Sequence, residues 1–325
     1  MSGEKIGLLL HYLKLYDEVC GPEIRSEAEA FAVIIKNEYE RRGVTVATSP
    51  LCRSSEEFRA AIANFERECV DAVVSLHLAY SPSLEAIDAL EQLKPALVVM
   101  DTTPTYDFIE AASVPAIDRN HGIHGVQDMC SVLKRRGVHY HIACGHLNGD
   151  VARRVANLCR AAQAAIAMKR MRVGLVGDSF AGMGDFQVDA HTLAAVTGAQ
   201  VITLDSEEMC ALRDSVTASE IDKQIAEDEA QFSVELSQPE NIRLAAKAAL
   251  TLRRWVQKNA LGALSVNFMQ ANLATGLVKM PFAELSRLMA HGIGYAGEGK
   301  AGGKVRLHKV NAQRAKRVFL YPAAQ

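Results

Sequence analysis

The sequence predicts an α/β protein built on doubly wound parallel sheets. Short apolar runs alternate along the chain with segments of helical periodicity. The clearest runs, Asp71–Leu76 and Ala96–Met100, have almost no polar interruption, which is typical of parallel strands buried on both faces. A length of 325 residues favours two domains over one.

The first predicted domain covers residues 1–168. A helix over Glu23–Arg42, closed by Gly43, follows the first strand, and Ser54–Glu57 is typical of a helix N-terminus. The predicted strands of this domain are Ile6–Leu10, Val44–Ala47, Asp71–Leu76, Ala96–Met100 and Val138–Ala143.

An alanine-rich helix over Val151–Lys169 leads to a second predicted domain, residues 169–299. Its predicted strands are Met171–Val176, Gln200–Leu204 and Ala263–Phe268. Its predicted helices are Ile221–Ala230, Asn241–Lys258 and Pro281–Ala290. The boundary between the domains is expected within a few residues of Arg170.

Composition excludes several classes of function. The net charge of -2 indicates neither a nucleic-acid nor a membrane partner. The seven cysteines are scattered and form no C-x-x-C pair, which favours reduced thiols over a disulfide framework or a zinc site. The chain starts without the pattern of a signal peptide and holds no run long enough to span a membrane. We therefore expect a cytoplasmic protein.

The segment 300–325 differs in charge from the rest of the chain. It holds seven of the 36 Lys and Arg residues and no acidic residue, which leaves 29 basic against 38 acidic residues elsewhere. Its glycine-rich start and like charges predict a mobile tail.

Two polar clusters follow predicted strands of the first domain. His77 and Tyr80–Pro82 follow the third strand, and Asp101–Pro104 follows the fourth. Ligands of such sheets bind at the carboxyl ends of the strands, so Asp101 is a candidate ligand contact. The alternative is that Asp101, Thr102 and Pro104 form a turn and cap the next element.

The segment His121–Met129 holds two histidines three residues apart, among glycines. Asp118 or Asn120 is expected to cap a helix here, with Val126, Met129 and Leu133 on its apolar face. The spacing of His121 and His124 is a weak indication of a metal pair, since helical ligand pairs more often stand four apart. The segment is explained either by packing and capping or by a role of His124 in a site.

Two glycine-rich segments are candidates in the second domain. Gly174–Phe186 resembles a phosphate loop, but Met183-Gly184 stand where Lys and Ser or Thr are required, so we expect no nucleotide. This loop either presents Asp185 to a polar ligand or is a tight turn. In Gly292–Gly299, Glu298 stands between two glycines, which indicates either a close-approach site or a C-terminal turn with a solvated carboxylate.

Taken together, His121–Met129, Gly182–Phe186 and Gly292–Gly299 resemble, in that order, the L-fucose isomerase/L-arabinose isomerase superfamily, and its fucose isomerase-like branch most. The resemblance covers about residues 5–299. It implies two Rossmann-like domains, a divalent metal that is usually Mn²⁺, and an aldose–ketose isomerase acting through an enediol. It also implies a homo-oligomer whose active site is shared between subunits, with Glu298 as a metal-binding and proton-transferring residue.

The sequence departs from that family at several positions. Met269-Gln270 stand where active members have a second glutamate, and Lys300–Gly303 follow the turn where the family has an Asp and an aliphatic helix. The only histidine after Glu298 is His308, and we find no counterpart of the family's third, barrel-like domain. A frameshifted or degraded reading frame would produce this switch, and the neighbouring DNA would show the missing domain in another frame.

We therefore expect a sugar isomerase-like protein with an incomplete metal site and weak or no activity, because one carboxylate makes a poor divalent-metal site. The sugar is expected to contact Asp101, His124, Asp185 and Gln270. The alternative is a non-catalytic sugar-binding or assembly module that uses the same crevice.

Overall fold

The computed structural model describes residues 4–107, 114–179, 189–234 and 238–297. The chain divides into two compact units between Ile166 and Ala167, here called unit 1 and unit 2. This division lies inside the helix that contains the predicted boundary. The predicted tail, 300–325, lies outside the described residues.

Unit 1 alternates strands and helices, as the apolar runs predict. Its strands are β1 (Lys5–His11), β2 (Thr45–Cys52), β3 (Ala72–His77), β4 (Ala96–Asp101) and β5 (Tyr140–Cys144). Its helices are α1 (Lys14–Val19), α2 (Pro22–Glu40), α3 (Ser55–Arg67), α4 (Ser83–Glu91), α5 (Val114–Asn120), α6 (Gly122–Arg135) and α7 (Val151–Lys169).

The strands of unit 1 form one parallel sheet, sheet A, in the order β2-β1-β3-β4-β5 among the described residues. Side chains alternate between its two faces. One face packs against α2 and α7, and the other packs against α3, α4 and α6. Because both faces are covered, β3 is buried throughout and β1 is buried from Ile6 to His11, as their continuous apolar runs predict.

Unit 2 repeats the pattern with a smaller parallel sheet, sheet B, in the order β7-β6-β8-β9 within the described ranges. Its strands are β6 (Arg172–Val176), β7 (Gln200–Thr203), β8 (Ala263–Val266) and β9 (Gly294–Gly297). Its helices are α8 (Ala190–Thr197), α9 (Ser206–Asp214), α10 (Ala218–Gln231), α11 (Pro239–Lys258) and α12 (Phe282–Ala290). The predicted fold class, two parallel α/β domains, is confirmed.

Three local predictions are wrong. The glycine-rich segment predicts a turn over Tyr295–Gly299, but its described part, Tyr295–Gly297, belongs to β9, which pairs with β8 from Ala263 to Val266. β8 ends at Val266, and Phe268 begins a short 3-10 turn. Neither Asp118 nor Asn120 caps α6: its N-cap is His121, which makes no side-chain cap bond, and the Asn120 amide binds Thr105 and Ala116 instead.

One buried carboxylate connects three helices of unit 2. Glu284 on α12 is 1% exposed and accepts two hydrogen bonds from Arg253 of α11, at 2.7 and 2.6 Å. Arg287 donates to the same carboxylate at 2.9 Å and also pairs with Asp228 of α10. The shared carboxylate therefore fixes α10, α11 and α12 relative to one another.

No helix among the described residues is both long enough and apolar enough to cross a membrane.

Replacing the buried carboxylate should destabilise unit 2. We expect Glu284→Gln to lower the free energy of unfolding by about 3 kcal/mol, because two arginines lose a buried counter-charge. Urea unfolding followed by fluorescence of Trp255 measures this, since Trp255 is the only tryptophan in the chain and is fully buried. Asp222→Asn removes an exposed partner of Arg243 and should cost less than about 1 kcal/mol. An equal decrease in the free energy of unfolding in the two variants would contradict the role of Glu284 in holding the three helices together.

Candidate functional site

The carboxyl edge of sheet A gathers polar side chains from distant parts of the chain. The last paired residues of β2, β1 and β3 are Cys52, His11 and His77, which lie side by side in register. Asp101 pairs with Cys144 in the same way and follows Met100, the partner of Leu76. The last rung of the sheet is therefore Cys-His-His-Asp-Cys, and alternation places all five side chains on the face that packs against α6.

His11 and His77 form the buried centre of this rung. Their rings stack at 4.0 Å between centroids, with 15° between the planes, and the residues are 1% and 3% exposed. The hydroxyl of Ser75 lies 2.9 Å from His11 Nε2. His11 Nδ1 and both ring nitrogens of His77 have no hydrogen-bond partner among the described residues. Burial lowers the pKa of His77 to about 3 and that of His11 well below its usual range.

Asp101, a predicted ligand contact, ends β4 at this edge. Burial raises the pKa of its carboxyl, and the hydrogen bond with the Cys144 thiol partly offsets that rise. Its Oδ1 is buried without a partner in the described ranges, as are the hydroxyls of Thr102, the next residue, and of Ser81, which follows β3. Buried polar atoms normally find a partner, so this edge has unused hydrogen-bonding capacity that suits a polyhydroxy ligand.

His124, the second predicted contact in unit 1, is exposed on the first turn of α6. Its ring meets His121 edge to face at 4.8 Å, and Tyr80 lies 5.4 Å from His121 between centroids. We call Tyr80, His121 and His124 the ring cluster. The hydroxyl of Tyr16 lies 3.2 Å from His121 Nδ1, so a neighbouring helix fixes the orientation of His121.

α6 places the ring cluster through two glycines that contact His77. A Cβ at Gly122 would lie 2.4 Å from the His77 carbonyl oxygen, and one at Gly125 would lie 2.7 Å from His77 Cδ2. Only glycine therefore allows the first turn of α6 to approach the end of β3 this closely. The structure thus brings Asp101 and the first turn of α6, which carries His124, to the same edge of sheet A.

Gln270, one of the two predicted sugar contacts in unit 2, forms a hydrogen bond with a neighbouring loop. Its Oε1 accepts a hydrogen bond from the Asp178 backbone N–H at 2.6 Å, where the chain leaves β6 through Gly177. Asn267 Nδ2 donates to the Asp178 carbonyl oxygen at 2.7 Å and holds the same loop from β8. Gly177 has φ +79°, and a Cβ there would lie 2.2 Å from Gln270 Oε1. Gln270 thus stabilises the loop at the carboxyl edge of sheet B.

Glu298 and Asp185, the other predicted site residues, lie outside the described residues. β9 ends at Gly297, beside the end of β8. Among the residues that are described, no group of three or more His, Cys, Asp or Glu side chains is arranged to hold a metal ion. The described part of the chain therefore does not by itself fit the Mn²⁺ that the resemblance implies.

Unit 2 also has an apolar concavity away from the predicted site residues. A groove of about 1290 Å³ runs between α10, α11 and α12. Phe232 and Phe282 line it and are 52% and 62% exposed. None of the predicted site residues lines this groove, so we assign no chemistry to it.

The comparisons with known proteins point to one family. Residues 183–314 match the sequence model of the L-arabinose isomerase central domain. The chain is 27% identical over 266 residues to an L-arabinose isomerase of Nocardioides sp., covering 79% of this chain and 52% of that protein. It is 23% identical to an L-arabinose isomerase of Serratia proteamaculans, covering 90% of this chain and 60% of that protein. These matches support a relationship to the arabinose/fucose isomerase family.

The chain spans between about half and three fifths of the length of the curated relatives it matches. A solved structure, the solute binding protein of an ABC transporter from Actinobacillus succinogenes 130z with bound D-allose, aligns over 90% of this chain and 78% of that chain. The sequence identity to that chain is 11% and the TM-score is 0.22.

The engagement of Gln270 can be tested directly. In Gln270→Ala the Asp178 amide loses its acceptor, so its hydrogen exchange should accelerate about five- to tenfold, equivalent to about 1 kcal/mol. Met269→Ala is the matched control, because Met269 is the adjacent residue and is 69% exposed. Unchanged exchange in Gln270→Ala would show that the amide does not hold the loop.

Proposed function

We propose that this chain is a sugar isomerase-like protein of carbohydrate metabolism whose relatives interconvert an aldose and a ketose. The observation that carries the proposal is the similarity to L-arabinose isomerases, which extends over 79% and 90% of the chain in two of them and is joined by the central-domain match. L-Arabinose is the sugar we would test first. Cytoplasmic location, homo-oligomeric assembly and the absence of a nucleic-acid partner belong to the same proposal.

In this proposal the carboxyl edge of sheet A contacts the sugar. The Asp101 carboxylate has unused acceptor capacity, which suits sugar hydroxyl groups. The exposed imidazole of His124 provides a ring nitrogen for a further hydrogen bond, and the ring cluster offers an apolar surface to the C–H groups of a sugar. These contacts bind and orient the sugar without changing it.

The isomerisation itself requires a group that moves a proton between C1 and C2 of the sugar. We assign this role to Glu298, which follows the end of β9, and place Asp185 as a further sugar contact. When bound, Mn²⁺ would polarise the sugar oxygens. Because the described residues do not fit that ion, we derive no step through it.

We further propose that activity is weak or absent. Met269-Gln270 supply no carboxylate beside the end of β8, and the Gln270 oxygen already accepts from Asp178. A neutral amide held in this way is a poor substitute for a carboxylate that binds a metal or moves a proton.

A non-catalytic sugar-binding module is the second candidate. It is favoured by the hydrogen bond that the Gln270 side chain already accepts from the Asp178 backbone N–H. Such a module would retain the edge of sheet A and the ring cluster without chemistry.

An activity assay tests the isomerase proposal. With L-arabinose and Mn²⁺, we expect the purified chain to form ketose at a rate at least about a thousandfold below a full-length L-arabinose isomerase assayed in parallel. This factor corresponds to about 4 kcal/mol of lost transition-state stabilisation. A rate comparable to that of the full-length enzyme would contradict the proposal that the metal site of this chain is incomplete.

Calorimetry separates the two candidates. We expect L-arabinose binding to require Mn²⁺, and to be lost in Glu298→Gln, if the chain retains the binding mode of an isomerase. Glu240→Gln, an exposed position on α11, is the control and should bind like the parent chain. Binding that is independent of Mn²⁺ and persists in Glu298→Gln would instead support the binding module.

A further inference from the structure

The buried pair His11 and His77 takes no part in the proposed sugar contacts. Together the two rings hold three nitrogens without a hydrogen-bond partner among the described residues. The rings are nearly parallel and 4.0 Å apart, so they contact each other across their faces. A buried ring nitrogen without a hydrogen bond costs desolvation free energy. That free-energy cost rises steeply if the ring becomes charged.

The surroundings of the pair are largely uncharged. Phe58 of α3 lies 4.7 Å from the His11 ring, and Ser75 of β3 contacts both His11 and Met129 of α6. Cys52 of β2 is the neighbour of His11 on the rung, and the pKa of its thiol is raised by burial.

The acidic groups near the pair are Asp128 and Asp101. Asp128 of α6 is the carboxylate that favours a charged His77, but its Oδ2 accepts from the Ser83 backbone N–H at 3.0 Å. Asp101 of β4 follows on the rung, and burial raises its own pKa. Neither forms a hydrogen bond with an imidazole of the pair in the described structure, so a positive charge on either ring would lack a directly bonded carboxylate.

Protonation of His77 would affect α6 because the first turn of this helix lies directly against His77. The positions where Cβ atoms of Gly122 and Gly125 would stand lie 2.4 and 2.7 Å from atoms of His77. Any movement of His77 toward water must therefore displace the first turn of α6. That turn is flanked by His121 and carries His124, both members of the ring cluster.

We propose that the stacked His11–His77 pair is an acid-sensitive latch for α6. The neutral pair holds the first turns of α6 against the end of β3. Release of α6 exposes both rings to water, where each takes up one proton from solvent. The latch goes beyond the proposed sugar function and does not depend on it.

The number of protons taken up when α6 is released determines how steeply the release equilibrium depends on pH. An exposed imidazole has a pKa near 6.5, whereas burial keeps the pKa of both rings lower in the latched form. The released form therefore binds more protons below pH 6.5, and latching weakens as the pH falls through that value. Each histidine contributes up to a tenfold change per pH unit, so the release equilibrium should approach a hundredfold increase per unit below pH 6.

Amide hydrogen exchange between pH 5 and 7, corrected for intrinsic exchange rates, measures this equilibrium. The reporter amides are Val126 and Met129 of α6, and the internal reference is Ile35 and Tyr39 of α2, which packs on the other face of sheet A. We expect the α6 amides to lose protection nearly a hundredfold per unit below pH 6, while the α2 amides change much less. Equal loss in both helices would mean that the pair reports global unfolding, which overturns the latch.

Substitution tests the proton count. His77→Phe keeps a planar ring and removes one titrating group. The loss of α6 amide protection should therefore fall to about tenfold per pH unit. His141→Phe, at an exposed position on β5, is the matched control and should keep the parent slope. A parent-like slope in His77→Phe overturns the proposal.

A measurement on the parent chain covers the case in which His77→Phe fails to fold. The imidazole ¹⁵N shifts of His11 and His77 should remain those of neutral rings at pH 5.5 in molecules whose α6 amides are protected. Rings that titrate near pH 6.5 while α6 stays protected would overturn the latch.

Discussion

The contact between the first turn of α6 and the end of β3 is the constraint on which the candidate site of unit 1 depends. Gly122 and Gly125 bring the helix onto His77 without room for a side chain. This contact fixes where His121 and His124 stand relative to the last rung of sheet A. It also helps to bury His77, whose ring stacks on His11, so one packing arrangement both positions the ring cluster and covers part of the histidine pair.

Much of the fold follows from local patterns in the sequence. The apolar run Asp71–Leu76 predicts β3 because a strand covered on both faces needs no polar alternation. Ser54 predicts the start of α3 because its hydroxyl accepts from the Glu57 N–H and the Glu57 side chain bonds back. β9 could not be predicted in this way. Its sequence, Gly-Tyr-Ala-Gly, has a weak strand propensity, so the strand is stabilised by its pairing with β8 and not by its own residues.

The site is less predictable, because its geometry depends on register between distant segments. Asp101 and His124 could be selected from their positions after a strand and beside glycines. The stacking of His11 on His77 could not, since it requires β1 and β3 to pair with both histidines on the last rung. The sequence feature that could have identified His11 is its position at the end of the apolar run of β1. The role of Gln270 as a loop contact likewise depends on where β6 ends relative to β8.

Both units therefore direct polar residues to the carboxyl edges of parallel sheets, where α/β proteins commonly bind ligands. At sheet A the polar groups have unused capacity, whereas at sheet B the amide of Gln270 is occupied by the Asp178 loop. This difference underlies the proposal that sugar recognition is better retained than catalysis.

Chemical-shift mapping with L-arabinose tests that claim most directly. We expect the sugar to perturb the amides of Asp101, Thr102 and the segment His121–Gly125, while the amides of α2 stay unchanged. Perturbations that spare this edge, or no perturbation at millimolar sugar with and without Mn²⁺, would contradict it.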